Sequence, residues 1–391
     1  MKKFLMVATV PSMIGQFNMN NIQILIDMGY EVHVGCNFDD RSIWTNERVK
    51  IFKENLTQLG VKKIHIEFAR TPYDISKLFK SYRKLHKIIK KYKYTGIHCH
   101  TPVAGVVARF AALGIKTKVI YTAHGFHFYK GAPLKNWLIY YPIEKICSYM
   151  TDILITINKE DYMLAQRKMK AGKIVYVPGI GIDRNKFEEN SIDKIKKIRL
   201  CEELGCNSSD IIFMSVGELS ERKNHQIVIR ALAEIKNSGI VKFKYYIVGQ
   251  GMLKKSLQKL IESLKLADSV KLLGFRSDIK ELLSLTDIFI FPSLQEGLPV
   301  ALMEAMASGL PVICSRIRGN TDLIKDKECL FDAKDVESVE ERIKEFMINL
   351  DKRKYWGSIN KKNITAFDKF VINASMQKIY ESMNYIENKN D

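Results

Sequence analysis

Short apolar runs alternate with longer amphipathic segments along this chain of 391 residues, and the whole alternation occurs twice. A short apolar run bounded by turn residues predicts a buried strand, and apolar residues at helical spacing predict a helix. Strands that alternate with helices form parallel sheets with helices on both faces. We therefore expect an α/β protein with two Rossmann-like domains.

A polar stretch over residues 190–197 separates the two halves. The chain is also too long for one ordinary hydrophobic core. We predict an N-terminal domain over residues 1–183, a C-terminal domain over residues 184–365, and a last helix over residues 366–391 that packs back on the first domain. Open parallel sheets bind ligands beyond the carboxyl ends of their strands, so two facing sheets would place a cleft between the domains.

The formal net charge of +19 indicates an anionic partner or surface. Nucleic acid, an anionic membrane and a diphosphate-bearing substrate are the candidates. No RNA- or DNA-binding motif accompanies the charge, so we expect no nucleic-acid partner.

Cysteine usage and the N-terminus favour a cytoplasmic location. The seven cysteines are odd in number and form no Cys-x-x-Cys pair, which indicates neither a zinc site nor a disulfide framework. Residues 1–11 could be mistaken for a signal peptide, but their apolar part ends too soon, at Pro11, and a first strand is the better interpretation. No stretch reaches the ~18 apolar residues that a spanning helix needs.

Two carboxylates follow the apolar run at residues 287–292. Glu296 stands in a loop, Pro299 lies where a helix would begin, Glu304 lies on that helix, and Gly309 ends it. Carboxylates accept hydrogen bonds from hydroxyl groups, and helix N-termini bind anions, so the pattern suits a sugar phosphate. The alternative is an acid on a helix dipole followed by an exposed helix glutamate.

A lysine stands in a comparable position earlier in the chain. Lys223 follows a predicted strand and Gly217 and precedes a predicted helix, so its ammonium group could reach a diphosphate at that helix start. A solvated surface lysine is the alternative, because this basic chain has many.

These residues carry a resemblance to a known family. The Glu296–Glu304 spacing, within Pro-Ser-x-x-Glu-Gly-x-Pro, resembles the Glu-x7-Glu signature of family 4 glycosyltransferases, which are retaining enzymes of the GT-B fold. Residues 216–224 are similar to the family's phosphate-gripping loop, and residues 100–102 resemble an acceptor-domain segment. The run over residues 121–133 looks most like transferases of bacterial exopolysaccharide and capsule assembly, the EpsD type.

The resemblance implies a role for each motif residue. Glu304 would accept hydrogen bonds from ribose hydroxyls, Glu296 would contact the donor sugar, and Lys223 with the helix at Pro299 would hold the diphosphate. His124 would contact the donor sugar near the reaction centre, against the alternative of a buried structural histidine. The implied catalytic residues are His124 and Glu296, and the implied donor-binding residues are Gly15, Arg222, Lys223, Arg276, Gly297, Leu298, Pro299, Val300 and Glu304.

Several of these assignments have a particular basis. Gly15 is expected in the loop after the first strand, where a residue without Cβ lets the backbone approach a phosphate. Arg276 would lie beside the base of the nucleotide, and His100 and His127 are candidate acceptor contacts. The chain departs from the family at Glu218, where an arginine is usual, and Arg222 is the candidate replacement.

The resemblance implies a metal-independent hexosyltransferase with a UDP-sugar as donor substrate and no cofactor. No Asp-x-Asp and no His/Cys cluster with ligand spacing is present, so no metal site is expected. The implied acceptor is a saccharide linked to undecaprenyl diphosphate. Two alternatives stay open: a nucleotide-sugar epimerase of the same architecture, and a non-catalytic partner subunit of another transferase.

The segment over residues 77–93 contains eight Lys or Arg residues and no acid. Its apolar residues, Leu78, Tyr82, Leu85, Ile89 and Tyr92, share one face at helical spacing. We predict a helix that packs on the sheet and presents a cationic face to an anionic membrane, which would make the protein peripheral on the inner face of the plasma membrane. The alternative is a solvated helix that packs only on its own core.

Overall fold

The computed structural model describes residues 1–188, 194–239 and 242–385, and the chain forms two compact units. Unit 1 comprises Met1–Gly181 together with the segment from Phe370 onward, and unit 2 comprises Ile182–Lys369. Each unit is described by itself below.

Unit 1 contains a seven-stranded parallel sheet in the order β3-β2-β1-β4-β5-β6-β7. Its strands are β1 (Lys3–Val7), β2 (Glu31–Cys36), β3 (Lys62–His65), β4 (Gly96–His100), β5 (Lys118–Ala123), β6 (Ile153–Thr156) and β7 (Lys173–Tyr176). Successive residues of a strand point to opposite faces. Phe4 and Met6 accordingly enter one core and Leu5 and Val7 another, which explains why β1 is apolar from Phe4 to Val7.

Seven helices connect these strands: α1 (Pro11–Phe17), α2 (Met19–Asp27), α3 (Asn46–Gln58), α4 (Ile75–Tyr92), α5 (Pro102–Ala112), α6 (Leu134–Ser148) and α7 (Lys159–Lys168). The segment after β1 forms two helices, because the chain turns at Asn18, whose side-chain amide donates to the Met13 carbonyl at 3.0 Å. The sequence pattern did not predict α3, which is mostly polar and buries Val49, Phe52 and Leu56.

Unit 2 contains a six-stranded parallel sheet in the order β10-β9-β8-β11-β12-β13. Its strands are β8 (Ile211–Val216), β9 (Phe243–Val248), β10 (Val270–Gly274), β11 (Ile288–Phe291), β12 (Val312–Ser315) and β13 (Leu330–Phe331). Its helices are α8 (Arg184–Glu188), α9 (Lys194–Leu204), α10 (His225–Asn237), α11 (Lys254–Ser263), α12 (Ile279–Leu285), α13 (Val300–Ala307), α14 (Asn320–Leu323), α15 (Val336–Ile348) and α16 (Leu350–Asn363).

The structure corrects two sequence-based expectations at the start of unit 2. Residues 194–197 of the expected polar break belong to α9, and residues 190–193 lie outside the described ranges. No disulfide framework was expected, but Cys201 and Cys206 are bonded to each other where α9 ends. The other five cysteines are buried thiols.

The last helix, α17 (Lys369–Tyr385), packs on the sheet of unit 1. Tyr380 and Met383 are 1% and 2% exposed, and the Tyr380 ring meets the Phe4 ring edge-on with centroids 5.5 Å apart. A Cβ at Gly96 would lie 2.5 Å from the Phe4 ring and 2.6 Å from the Met383 methyl group, so these two side chains cover the glycine. None of the helices in the described ranges is both long and apolar enough to cross a membrane.

The strand order fixes where a ligand can bind. The chain reverses direction across the sheet between β1 and β4 in unit 1, and between β8 and β11 in unit 2. The loops that leave two such strands diverge, and the crevice at their carboxyl ends is the usual binding position in open parallel sheets.

Candidate functional site

At the crevice of unit 2, the loops after β8 and β11 lie side by side. The backbone N–H of Leu294 donates to the carbonyl of Arg222 at 2.8 Å. Arg222 and Lys223 belong to a single 3₁₀ turn that links β8 to α10, while Glu296 belongs to the loop between β11 and α13. Residues 73 and 74 positions apart in the chain are thereby brought into contact.

Glu296 is the centre of this contact. Its carboxylate is 8% exposed, and its Oε1 accepts from Lys223 Nζ at 2.7 Å and from Arg222 Nη1 at 3.1 Å. Its Oε2 takes no hydrogen bond from the residues that the structure describes. One oxygen therefore orients two cations while the other is available to a ligand hydroxyl.

The side chain of Lys223 is only 12% exposed. Burial lowers the pKa of the Lys223 ammonium, and the charge of Glu296 opposes that shift. The ammonium also lies 4.7 Å from the centre of the Phe291 ring, a favourable cation–π position. Lys223 is thus not the solvated surface lysine of the alternative interpretation.

Glu304 has a different environment from Glu296. It lies on α13, and burial raises the pKa of its carboxyl group to about 7, with the charge of Lys186 acting in the opposite direction. Within the described part of the chain, its side chain takes no hydrogen bond. A carboxylate that has lost water without gaining a partner is poised to accept from ligand hydroxyls.

The turn into α13 matches the sequence prediction. Gly297, Leu298 and Pro299 lead to Val300, the first residue of the helix, and the helix ends before Gly309, which has a φ of 73°.

A loop that the sequence analysis missed supports this turn. Gly319 follows β12 with a φ of 79°, and a Cβ there would collide with the Gly297 carbonyl. Beside it, the buried Ser315 hydroxyl donates to the Ser293 carbonyl at 2.5 Å and accepts from the Asn320 amide at 3.0 Å. The sequence signal was the Arg-Gly-Asn after β12.

The structure shows the surroundings of two residues discussed for the donor site, Glu218 and Arg276. Glu218, at the position where the family has arginine, is exposed and adds a negative charge near Lys223. Arg276 follows β10, but its guanidinium is bound to Glu203 at 2.5 Å and to Asp278 at 2.6 Å, which raises its pKa. Its hydrogen bonds to side chains in the described ranges go to Glu203 and Asp278 and not to the Glu296 cluster.

The structure also changes the basis of the Gly15 prediction. Gly15 lies inside α1 rather than in a loop. A Cβ at this position would collide with the Trp44 ring and come within 3.1 Å of Phe52. Packing against Trp44 thus accounts for the glycine without a phosphate.

In unit 1, histidine side chains gather at the carboxyl edge of the sheet. His124 directly follows β5, and its Nε2 lies 3.1 Å from Nδ1 of His100, the last residue of β4. His100 Nε2 lies 3.1 Å from Met6 Sδ. Thr9 and Thr101, which flank the β1–β4 reversal, share a hydrogen bond of 2.7 Å between their hydroxyl oxygens.

This network assigns the protons of both histidines. A thioether sulfur can only accept, so the proton of His100 lies on Nε2. Burial lowers the pKa of His100 well below its usual value and that of His124 to about 4, so both rings are neutral. His100 Nδ1 is then an acceptor, and His124 donates to it through Nε2–H. His124 consequently presents Nδ1 as an acceptor.

A third histidine extends the network to the last helix. The His98 ring lies 4.1 Å from that of His100, and its nitrogens bond the hydroxyls of Tyr380 and Thr122, both at 2.8 Å. Burial lowers the pKa of His98 to about 3. A small pocket beside this network is bounded by His100, His124 and, on α17, Asn373.

His127 lies further along the same loop, and its ring stacks on Tyr140 of α6 at 4.5 Å.

Among the described residues, no group of three or more His, Cys, Asp or Glu side chains could hold a metal ion. The expectation of metal-independent chemistry stays a prediction.

Comparison with known proteins decides the family. Residues 197–363 match the family model of glycosyl transferases group 1, and residues 14–158 match the glycosyl transferase 4-like model. The chain is 38% identical over 331 residues to the putative glycosyltransferase EpsD of Bacillus subtilis, covering 84% of this chain and 82% of that protein. The chain belongs to the group 1 glycosyltransferases. The resemblance stated from its motifs, including the likeness to EpsD, is confirmed.

Other similar proteins are consistent with this family. This glycosyltransferase is 34% identical over 255 residues to the Escherichia coli UDP-Gal:alpha-D-GlcNAc-diphosphoundecaprenol alpha-1,3-galactosyltransferase, over 63% of this chain and 64% of that protein. It superposes on a Rickettsia africae glycosyltransferase with a TM-score of 0.77 at 18% identity over the full length of both chains. Anabaena HepE, solved with UDP-glucose, gives a TM-score of 0.77 at 20% identity, over 98% of this chain and 100% of that chain. The expected GT-B fold is confirmed.

Proposed function

We propose that this glycosyltransferase moves a hexosyl residue from a UDP-sugar to a saccharide linked to undecaprenyl diphosphate, in the synthesis of a bacterial exopolysaccharide or capsule. The observation that carries the proposal is the cluster of Glu296, Lys223 and Arg222 at the β8–β11 reversal, beside the start of α13. The name of the E. coli relative supports the lipid-linked acceptor. The resemblance of residues 121–133 to transferases of exopolysaccharide and capsule assembly supports the pathway.

In this proposal, unit 2 holds the donor. Lys223, Arg222 and the N-terminus of α13 offset the charge that develops on the departing diphosphate, so no metal is required. Glu296 orients the two cations through Oε1 and accepts from a donor-sugar hydroxyl through Oε2. Glu304, when ionised, accepts from the ribose hydroxyls.

Unit 1 acts on the sugar and the acceptor. His124 offers its Nδ1 lone pair to a donor-sugar hydroxyl near the reaction centre. We propose retention by attack on the face from which the phosphate leaves, with the departing phosphate oxygen taking the acceptor's proton. No side chain then needs to act as a nucleophile.

The outer face of α4 supports a location at the inner face of the plasma membrane. All eight Lys and Arg residues over residues 77–93 are exposed, whereas Leu85 and Ile89 are buried against the sheet. Ion pairing within the described part of the chain accounts only for Lys77, which lies 3.6 Å from Asp74. Such a face attracts anionic lipid.

The test is to incubate the purified protein with a panel of nucleotide sugars and lipid-linked acceptors in vesicles, and to follow both nucleoside diphosphate release and sugar in the lipid phase. The proposal expects both products in equal amounts with a UDP-sugar, and loss of both in Lys223→Met. Formation of an epimer of the donor sugar in the absence of an acceptor would instead show that the protein is an epimerase. No reaction with any donor would favour a non-catalytic partner subunit.

A further inference from the structure

A groove lined by apolar side chains runs between α4, α5 and α6 of unit 1. Its volume is about 290 Å³, close to the ~300 Å³ lower end of ligand-binding clefts. Its walls are formed by Leu78 of α4, by Val103, Val106 and Phe110 of α5, and by Ile143 and Ile146 of α6.

The one acidic side chain in its lining, Glu144, is paired with an arginine. Glu144 accepts from the two terminal nitrogens of Arg109 at 2.9 and 3.1 Å, and both residues are buried. The Arg109 guanidinium in turn lies 4.1 Å from the Tyr121 ring centre. The groove therefore offers a hydrocarbon surface with no unpaired charge, which suits an apolar ligand.

The outer rim of the groove is also apolar. Leu134, Leu138, Pro142 and Ile146 follow one another at intervals of four along α6, and all four are exposed. Residues four apart form one line on a helix surface, so they make a continuous apolar strip. Contiguous exposed apolar surface marks a site of interaction.

The face of α4 towards α5 carries exposed cations, Arg83 and Lys90. The His86 ring of α4 is bonded to the Ala111 carbonyl of α5 at 2.9 Å, which identifies the face of α4 that lies towards α5. Phe79, Arg83 and Lys90 are three or four residues from His86 or from each other along the helix, so they share the face of α4 that lies towards α5. All three are exposed. The ligand should thus combine a hydrocarbon chain with negative charge.

The groove begins at the edge of the sheet where the histidine network lies. Pro102, two residues after the end of β4, forms one end of the lining. Tyr140 is also part of the lining, and its ring stacks on His127. A chain lying in the groove would bring its polar end to the loop that carries His124.

We propose that this groove binds the isoprenoid chain of a polyprenyl phosphate lipid, and that the groove thereby delivers the attached saccharide to the edge of the unit 1 sheet. This rests on the proposed transfer to a lipid-linked acceptor and assigns the site that selects the lipid. The cations of α4 attract any anionic lipid surface, whereas the groove selects lipids that carry an isoprenoid chain.

The test uses vesicles of phosphatidylcholine that contain either undecaprenyl phosphate or the same amount of dioleoyl phosphatidic acid. The two lipids share a phosphate monoester and differ in their chains. We expect the full-length protein to bind the undecaprenyl phosphate vesicles at least ~10-fold more tightly. Val106→Asp should abolish this preference while leaving binding to phosphatidic acid nearly unchanged, because the α4 cations remain.

Leu113→Asp is the matched control, since Leu113 is 60% exposed at the end of α5 and does not line the groove. Val106→Trp fills the groove without adding charge, so its effect does not depend on tolerance of a buried carboxylate. Equal binding of both vesicles by the wild type would overturn the proposal, as would an unchanged preference in Val106→Trp with its fold intact by circular dichroism.

Sugar transfer is measured on the same samples to separate the two proposals. Discrimination between the lipids without transfer from any donor would leave the groove in place and reject the proposed function. Transfer that is equally fast to acceptors on geranyl and undecaprenyl chains would keep the function and reject the groove.

Discussion

Unit 2 and unit 1 place their polar residues at equivalent positions of their sheets, but these residues are charged in unit 2 and neutral in unit 1. In unit 2, Lys223 and Arg222 meet Glu296 in a charged cluster, although Lys223 is mostly buried. In unit 1, His100 and His124 are neutral, because burial lowers their pKa values and no described acid is bonded to them. The same topology thus supports two kinds of chemistry.

The difference indicates a division of labour. Fixed charges cost free energy to bury and are retained where a ligand charge must be offset, as on a diphosphate. Neutral rings with assigned protons suit recognition of hydroxyl groups, where direction matters more than charge. The predictions below test whether this contrast holds.

The largest effect is expected from Lys223→Met. Removing the buried ammonium takes away a charge that offsets the leaving diphosphate, so kcat/KM should fall by roughly 10²–10³-fold. Steady-state rates with the preferred donor measure this. Lys255→Met, at an exposed lysine of α11, should stay within about two-fold of the wild type; a similar loss in both variants would contradict a specific role.

A smaller and pH-dependent effect is expected from Glu304→Gln. The pKa of Glu304 is about 7, so its ionised fraction rises roughly ten-fold from pH 6 to pH 8. Because the ionised form accepts from ribose hydroxyls, wild-type affinity for UDP should rise by up to that factor, while the Gln variant should give a flat profile. Calorimetric titration at both pH values measures this.

The raised pKa of Glu304 also affects stability: rising pH, which should favour UDP binding, should lower the stability of the folded state. The pKa of Glu304 is higher in the folded state, about 7, than its ordinary value of 4.5, so the folded state binds more protons between these values. The wild type therefore loses stability as the pH rises from about 4.5 through 7, and Glu304→Gln should not. An identical pH dependence of Tm in both proteins would refute the raised pKa.

In unit 1, His100→Gln is expected to act through His124. A glutamine amide can donate as well as accept, so the proton of His124 is no longer confined to Nε2. We expect kcat to fall by about ten-fold with a smaller change in the donor KM. Nitrogen-15 shifts of the imidazole report the tautomer directly: a His124 that keeps its proton on Nε2 in the variant would show that His100 has no positioning role.

The smallest effect is expected at the surface of α4. Each Lys near an anionic membrane contributes about 1 kcal/mol, so Lys87→Ser should weaken binding to phosphatidylglycerol vesicles about five-fold. Lys255→Ser in unit 2 should leave binding unchanged. Vesicle sedimentation measures both, and equal losses would mean that net charge rather than α4 drives the association.

The sequence predicted the Glu296–Glu304 segment of unit 2 and the α4 helix of unit 1 for the same physical reason. Glu296, Pro299 and Glu304 lie within one strand–loop–helix segment. A proline marks the start of the helix and a glycine marks its end, so the local sequence defines the geometry. The α4 helix was predicted to within two residues of its observed ends because its apolar stripe is regular. Both signals are local in the chain.

The missed features depend on contacts between distant residues. Nothing near Gly15 indicates that Trp44 will occupy the space beside it. The tautomer of His124 depends on Met6, more than a hundred residues away and two strands across the sheet. Helices such as α3 and α16 bury few apolar residues, so their periodicity is weak in the sequence.

The most direct test of the division of labour compares UDP binding with turnover in Lys223→Met and His124→Asn. The account predicts that Lys223→Met weakens UDP binding at least ~10-fold, whereas His124→Asn binds UDP within about two-fold of the wild type and still loses most of its turnover. Loss of UDP binding in His124→Asn, or unchanged UDP binding in Lys223→Met, would contradict it.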